Sequence, residues 1–368
     1  MKTKIPGKMK MSVYKSGMLL GAALLLLSLN LSAQDEIKKE FHKEYTAEKS
    51  TKLELNNRYG DIVAETSETN QVVIDVVVTV RYPNRERAEK LMGYIDVQFT
   101  EGENLISAKT YIDDKFSFSG WGGGSRRFSI DYKVKMPVWM DLSIVNRYGD
   151  TDLDDLSGQV ELDVKYGSLD VSKLTRGNEK PFNVVSMAYG NCTIDEAGWL
   201  DMNVRYSGNF SIAKVQALLL DSKYSNVKIA SASSVVGEIR YHNLRIENIG
   251  NLVLDAGYTD INVGTLTKKL KLNGSYGGVL IERVPAGFES IDIDTDYTSV
   301  RVGLDSLANY NLEGKTSYCS LKYNEDNFHV RRRIIGNTSG EINGIVGKET
   351  SPTATVKVLS SYGSVKLY

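Results

Sequence analysis

The chain has little of what most enzymes and small secreted domains rely on. It has two cysteines, three histidines and six prolines among 368 residues, and no apolar run after residue 31 long enough to span a membrane. Cys192 and Cys319 are too few for a disulfide framework, so a hydrophobic core must hold the fold. His42, His242 and His329 are scattered, which leaves little material for a transition-metal site or a histidine-dependent triad. The glycine run Gly122-Gly123-Gly124 lacks the lysine and following helix of a phosphate loop, so no cofactor is expected. Neither charge sign dominates, with 45 basic against 46 acidic residues. Bulk attraction to nucleic acid is excluded on that balance.

The first residues read as an export signal. Lys2, Lys4, Lys8, Lys10 and Lys15 precede an apolar run from Met18 to Leu31 and then Ser32-Ala33, the pattern of a signal peptide cleaved after Ala33. A retained anchor is the weaker reading, because the apolar core is shorter than the ~20 residues a spanning helix needs. The expected product is periplasmic, extracellular or at the cell surface, with no transmembrane segment after cleavage. It has lost five lysines and no acids, so it carries 40 bases against 46 acids. Residues 34–50 read as a linker.

Tyrosine is abundant and regular. Arg147-Tyr148-Gly149-Asp150, Lys165-Tyr166-Gly167-Ser168, Arg205-Tyr206-Ser207-Gly208, Lys223-Tyr224-Ser225-Asn226 and Arg240-Tyr241-His242-Asn243 are copies of one unit. The unit continues at Tyr258, Tyr276, Tyr297, Tyr318 and Tyr362, with an early copy at Tyr59 and a variant at Tyr189. From Tyr189 to Tyr276 the spacing is 17 or 18 residues, which is the mark of a solenoid or array. Apolar and polar positions alternate before the tyrosine, as in Leu162, Val164 and Tyr166 against Asp163 and Lys165, and again after it, as in Leu169 and Val171. Glycine, serine, asparagine, aspartate or threonine follows the tyrosine almost throughout and is read as the corner, supplying positive φ or local bonds to the backbone. Strand, corner, strand is the unit, and two short strands cannot close a core alone. Stacked units sharing one core predict an all-β, parallel β-solenoid of 17–21-residue coils with tyrosines laddered along one edge.

An antiparallel β-sandwich is the alternative, with the tyrosine segments as hairpin turns. Against it, the strong hairpin dipeptides Asn-Gly and Asp-Gly are missing from the corners. A transmembrane barrel fits less well, since five-residue strands fall short of the ~9–11 needed to cross a bilayer. Residues 51–145 follow a different grammar: strands at Val72–Val80, Val97–Thr100, Leu105–Ile112 and Phe128–Met136, and a short helix after Pro83. They are expected to form the first coil plus a small α+β cap that covers an end of the solenoid, with 146–368 as the tyrosine-repeat solenoid. Residues 176–183 and 324–355 interrupt the repeat.

With its exported N-terminus, the Tyr-Gly-Asp/Ser-hydrophobic repeats and Val134-Lys135-Met136-Pro137 leading into the regular coils, the chain resembles a family of bacterial envelope proteins. That family carries the label of adhesin domain without an assigned biochemical activity. The resemblance implies a β-solenoid with a surface or envelope role and brings no catalytic residues with it.

The candidate binding residues are of two kinds. Arg58, Arg147, Lys165, Arg205, Lys223 and Arg240 precede repeat tyrosines and, stacked, would make a positive stripe suited to an anionic glycan or lipid headgroup. The competing reading is a solvated face neutralised by acids such as Asp152 and Asp170. Phe118, Trp121, Arg126 and Arg127 sit on a glycine-rich loop with the composition of a contact surface, or fold back over the cap. The tyrosines could stack on sugars, but alternation puts them on the apolar side and predicts a buried ladder. Acids and bases follow the repeat without clustering, so an enzyme of the polysaccharide-active β-helix type is the least favoured reading. Cys192 and Cys319, seven coils apart in chain order, are too distant for a disulfide and should be free thiols. The functional expectation is a non-enzymatic, adhesin-like binding module whose partner is an anionic glycan, or alternatively an envelope scaffold that binds a protein.

Overall fold

The computed structural model describes residues 35–116 and 128–368. The expected signal peptide and the loop residues Phe118, Trp121, Arg126 and Arg127 lie outside them. Among these residues the fold is all-β with one short helix, Arg85–Met92, capped by the Asn84 side chain, which accepts from the Arg87 N–H. Alternation explains the strands directly. In Val160–Lys165, Val160, Leu162 and Val164 are buried while Glu161, Asp163 and Lys165 face outward, and Leu169 and Val171 resume the inward set after the corner.

The coils stack in parallel. Val160–Lys165 lies between Asp141–Arg147 and Asn183–Ala188, with Leu162 opposite Ile144 on one side and Val185 on the other. Leu169–Leu174 lies between Thr151–Leu153 and the start of Cys192–Arg205. The chain therefore builds one ladder from strands before the tyrosines and a second from strands after them, and a single apolar core runs between. Parallel register across successive coils removes the antiparallel sandwich. It also runs unbroken past residues 176–183, where the loop bulges outward and Asn183–Ala188 returns in step.

Chain order and spatial order part company at both ends. Near the N-terminus, the coil Lys52–Arg58 and Ile62–Ser67 pairs on one side with Asp141–Arg147 and Thr151–Leu153. On its other side it pairs in parallel with Leu105–Ile112 and Phe128–Pro137, so the supposed cap supplies a further coil. Antiparallel strands then finish this end, Ile95–Gly102 on one ladder and Gln71–Tyr82 on the other. Asp35–Thr46, within the stretch read as a linker, is the outermost strand and pairs antiparallel with Gln71–Tyr82. Its alternating half-buried Ile37, Phe41 and Tyr45 pack against the core, a pattern hidden among its charges.

At the other end the last strands slot inward. Thr355–Ser361 pairs with Ser290–Leu304 on one side and with Tyr310–Ser317 on the other, both in parallel, and Ser364–Leu367 does the same between Ser299–Val302 and Ser320–Lys322. The C-terminal residues thus form the penultimate coil, not the last. Residues 324–355 hold an antiparallel hairpin, Phe328–Ile335 and Ser339–Val346, that covers Tyr310–Ser317. Among the described residues no helix is long and apolar enough to cross a membrane.

Candidate functional site

The corner is built by the tyrosine itself. All twelve repeat tyrosines, from Tyr59 to Tyr362, take φ between 50° and 66°, the left-handed region, while the residues after them do not. This corrects the expectation that the small following residue supplies the turn. Its smallness has another cause: a Cβ at Gly149 would stand 1.8 Å from the Gly60 carbonyl oxygen, and one at Gly167 would stand 1.8 Å from that of Gly149. The first coils touch backbone to backbone at this point.

Left-handed geometry also decides where the rings go. It inverts the in-out alternation at one residue, so the ring leaves the apolar side and lies along the solenoid's outer edge. From Tyr148 onward the rings are 41–59% exposed, which overturns the buried ladder expected from alternation. They stack nearly parallel at 4.8–5.4 Å in the order Tyr59, Tyr148, Tyr166, Tyr189, Tyr206, Tyr224, Tyr241, Tyr258, Tyr276, Tyr297, Tyr362, Tyr318. Eleven steps of this size make a row of roughly 55 Å, set by the spacing of paired strands. Interior rings have neighbours on both faces and present only edges and hydroxyls to solvent, so they cannot stack on a sugar.

A left-handed non-glycine residue costs about 1–2 kcal/mol, and each aromatic pair returns about 0.5–1.5 kcal/mol beyond its buried area. Two neighbours per ring offset the strain. Tyr241→Ala keeps the strain and loses both stacks, and is expected to destabilise by about 2–3 kcal/mol. Tyr241→Gly loses the stacks but relieves the strain, so it should be about 1 kcal/mol milder. Urea unfolding of both variants checks this, and glycine proving worse than alanine would refute the strain account.

The basic residues do stack in register: Arg58 beside Arg147, Arg147 beside Lys165, and Arg205, Lys223 and Arg240 in succession, with Ala188 between the two groups. Their charges are largely spent inside the solenoid. Arg147 donates to the carboxylate and carbonyl of Asp163 on the next coil, and Arg205 does the same to Asp221. Arg240 reaches Asp255 at 2.8 Å and lies over Gly257. Lys165 stands 3.9 Å from Asp163 and Lys223 3.8 Å from Glu238. The neutralising acids are therefore not Asp152 and Asp170 across the corner but carboxylates three residues before the next tyrosine. The signal was present in Asp163-x-Lys165-Tyr166 and Asp221-x-Lys223-Tyr224. Each partly exposed pair contributes under about 1 kcal/mol.

Asp152 and Asp170 instead line a groove of about 250 Å³ on the other ladder, with Asp154 and Asp195. Burial, and then the Asp170 charge, push the Asp152 carboxyl above its ordinary value. Beside the helix, a hollow of about 540 Å³ gathers Tyr82, Tyr94, Arg87, Lys90 and Lys115 around Glu86, with the Arg87 guanidinium 5.0 Å from the Tyr82 ring centre.

Both cysteines are free. They lie eight ladder steps apart, one more than chain order implies, because Tyr362 stands between Tyr297 and Tyr318. Cys192 is 1% exposed, and burial holds its thiol well above the usual range. Cys319 is half-buried, its Sγ 3.1 Å from the Ser360 carbonyl. A thiol reagent should therefore titrate one thiol in the native protein and two in denaturant; two prompt thiols without denaturant would contradict the packing of Cys192.

No protein-family model matches the chain, and no curated protein matches its sequence. Several solved structures show some likeness. A protein provisionally named an adhesin from Parabacteroides distasonis is 10% identical, with 90% of this chain and 97% of that one covered and a TM-score of 0.36. One so named from Bacteroides fragilis is 12% identical over the same shares, with a TM-score of 0.27. A second Parabacteroides distasonis structure, provisionally named a lipid binding protein, is 12% identical over the same shares, with a TM-score of 0.31. Such distant likeness carries no argument about what this chain binds.

Proposed function

We propose that the chain is an exported, non-enzymatic, adhesin-like binding module of the bacterial envelope, released from a signal peptide at residues 1–33. The observation that carries this reading is the use of the coil charges. Arg147, Arg205 and Arg240 on one ladder, and Lys173 with Asp155 and Lys214 with Glu196 on the other, pair from coil to coil. Charges committed to holding neighbouring coils together are poor acids, bases or ligands, and the result is a stiff rod whose recognition falls to its ends. The basic, aromatic hollow at Tyr82, Arg87, Lys90, Tyr94 and Lys115 supports an anionic glycan as the ligand there. The stripe at Arg147, Lys165, Arg205, Lys223 and Arg240 is assigned to structure.

Retention on immobilised anionic polysaccharide tests the reading. Retention that falls with salt and is lost in an Arg87→Gln, Lys90→Gln variant supports it; equal retention of that variant moves the site elsewhere, and no retention defeats the glycan reading. A second reading, an envelope scaffold for a protein partner, rests on the outermost strand Phe328–Ile335. Its outer edge is unpaired among the described strands, and Val330, Ile334 and Ile335 are exposed along it. Recovery from envelope extract of a protein partner that competes with an Ile334→Lys variant's parent, and not with the variant, would favour it.

A further inference from the structure

The two ends of the tyrosine ladder are finished differently. At the N-terminal end Tyr59 is closed by the Phe128 ring at 5.2 Å, which in turn meets Phe116 at 4.9 Å. At the other end Tyr318 stacks on Tyr362 alone, and no described aromatic ring covers its outer face. It is also the most exposed ring of the row, at 59%. The hairpin that finishes this end covers the ladder before the tyrosines and leaves Ser320–Lys322, on the ladder after them, at the edge. Where another coil would stand is a cavity of about 420 Å³.

The lining of that cavity is specific. Tyr318 forms one wall, and Leu321, Ile335 and Ile342 supply apolar surface. Ser320, Asn337 and Ser339 add hydroxyl and amide groups from the edge strand and the hairpin turn. No aspartate, glutamate, lysine, arginine or histidine lines it. An aromatic face, a small apolar floor and neutral donors and acceptors at the rim match a pyranose ring, whose C–H face is apolar and whose hydroxyls point outward. A charged ligand would find no counter-ion there and would lose its hydration uncompensated.

We propose that this C-terminal cavity is a binding subsite for a neutral hexose, with the outer face of the Tyr318 ring as its stacking platform. It is distinct from the basic hollow at the opposite end of the rod and does not depend on an anionic glycan binding there.

Cys319 lines the cavity and reports its occupancy. The full purified chain is reacted with a thiol reagent alone and with methyl β-glucoside, methyl β-galactoside, methyl α-mannoside or glucuronate. At least one methyl glycoside should slow Cys319 saturably, by roughly tenfold at ten times its Kd, and glucuronate should not. Tyr318→Asn, chosen because asparagine tolerates left-handed backbone, should abolish the protection, while Tyr241→Asn in mid-ladder should keep it. Buried Cys192 monitors folding in the same assay. Should Tyr318→Asn expose it, Asn337→Ala on the exposed turn takes its place and should weaken protection several-fold. Absence of protection by all three glycosides, or equal loss in Tyr241→Asn, overturns the subsite. Retention on anionic polysaccharide is unaffected by either outcome, so the two proposals fail separately.

Discussion

A chain ending at residue 352 is expected to lose the order of residues 305–352 as well, not of one coil alone. In an ordinary solenoid the last repeat contacts one neighbour, and trimming it costs one interface. Here Thr355–Ser361 and Ser364–Leu367 stand between Ser290–Leu304 and the coil Tyr310–Lys322, so two interfaces go at once. Val356, Val358, Val365 and Leu367 are each at most 3% exposed. At roughly 1.5–3 kcal/mol per buried aliphatic side chain their loss amounts to about 6–12 kcal/mol, which rivals the stability of a whole domain. Tyr310–Ser317 and Ser320–Lys322 would then have no paired strand on the core side. Limited proteolysis should cut the truncated chain throughout residues 305–352 and leave the coils before residue 285 protected. A synthetic peptide of residues 353–368 should restore protection, because the gap it fills is already shaped by both neighbours. Protection unchanged by truncation would show that the last strands do not lie between those coils.

The same insertion bears on folding. Ser299 pairs with Ser364 across 65 residues, so this interface cannot close until residues 364–367 are present. Long-range parallel pairing of this kind is slow, since loop-closure entropy is paid before the contact returns anything.

Gly167→Ala is the second large effect, expected to cost at least about 3 kcal/mol. The added Cβ would sit 1.8 Å from the Gly149 carbonyl oxygen and 2.5 Å from its carbon, with coils paired rigidly on both sides. Relief requires opening the stack locally, which breaks ladder hydrogen bonds such as Tyr148 N–H to the Lys165 carbonyl at 3.0 Å. Overpacking commonly costs 1–3 kcal/mol where side chains can yield, and a backbone carbonyl yields less. Gly177→Ala, with nothing within 4 Å of the added atom, is the control and should be near neutral. Thermal unfolding of the pair decides the matter, and similar midpoints would mean that the coils separate more easily than their register suggests. Downstream corners carry Ser207, Ser225, Thr259 or Thr298 in the equivalent place, and there the hydroxyl is absorbed by the corner itself, as where Ser225 accepts from the Ser207 N–H and donates to the Lys223 carbonyl. The glycine requirement returns farther along the stack, where a Cβ at Gly277 would stand 2.1 Å from the Thr259 carbonyl oxygen and one at Gly363 2.1 Å from that of Thr298.

What the sequence by itself determined is the local grammar. Two-residue alternation in Leu162, Val164, Leu169 and Val171 specifies which side of each strand is apolar, and 17–18-residue spacing specifies that units stack in parallel and share a core. The free thiols followed from the same stacking. Tertiary structure alone decided three things. The tyrosine takes the left-handed conformation, so its ring leaves the core side that alternation assigned to it; a backbone inversion at one residue leaves no mark on apolar periodicity. Arg147, Arg205 and Arg240 find acids on the following coil; the acid three residues before the next tyrosine is written in the sequence, but which base it meets depends on the register. Finally, Leu105–Ile112, Phe128–Pro137 and Thr355–Leu367 take places in the stack that chain order does not assign them. Which strand fills a gap is settled by long-range hydrogen bonding and core contact, and sequence neighbours carry no information about partners up to 89 residues away, such as Arg58 and Arg147.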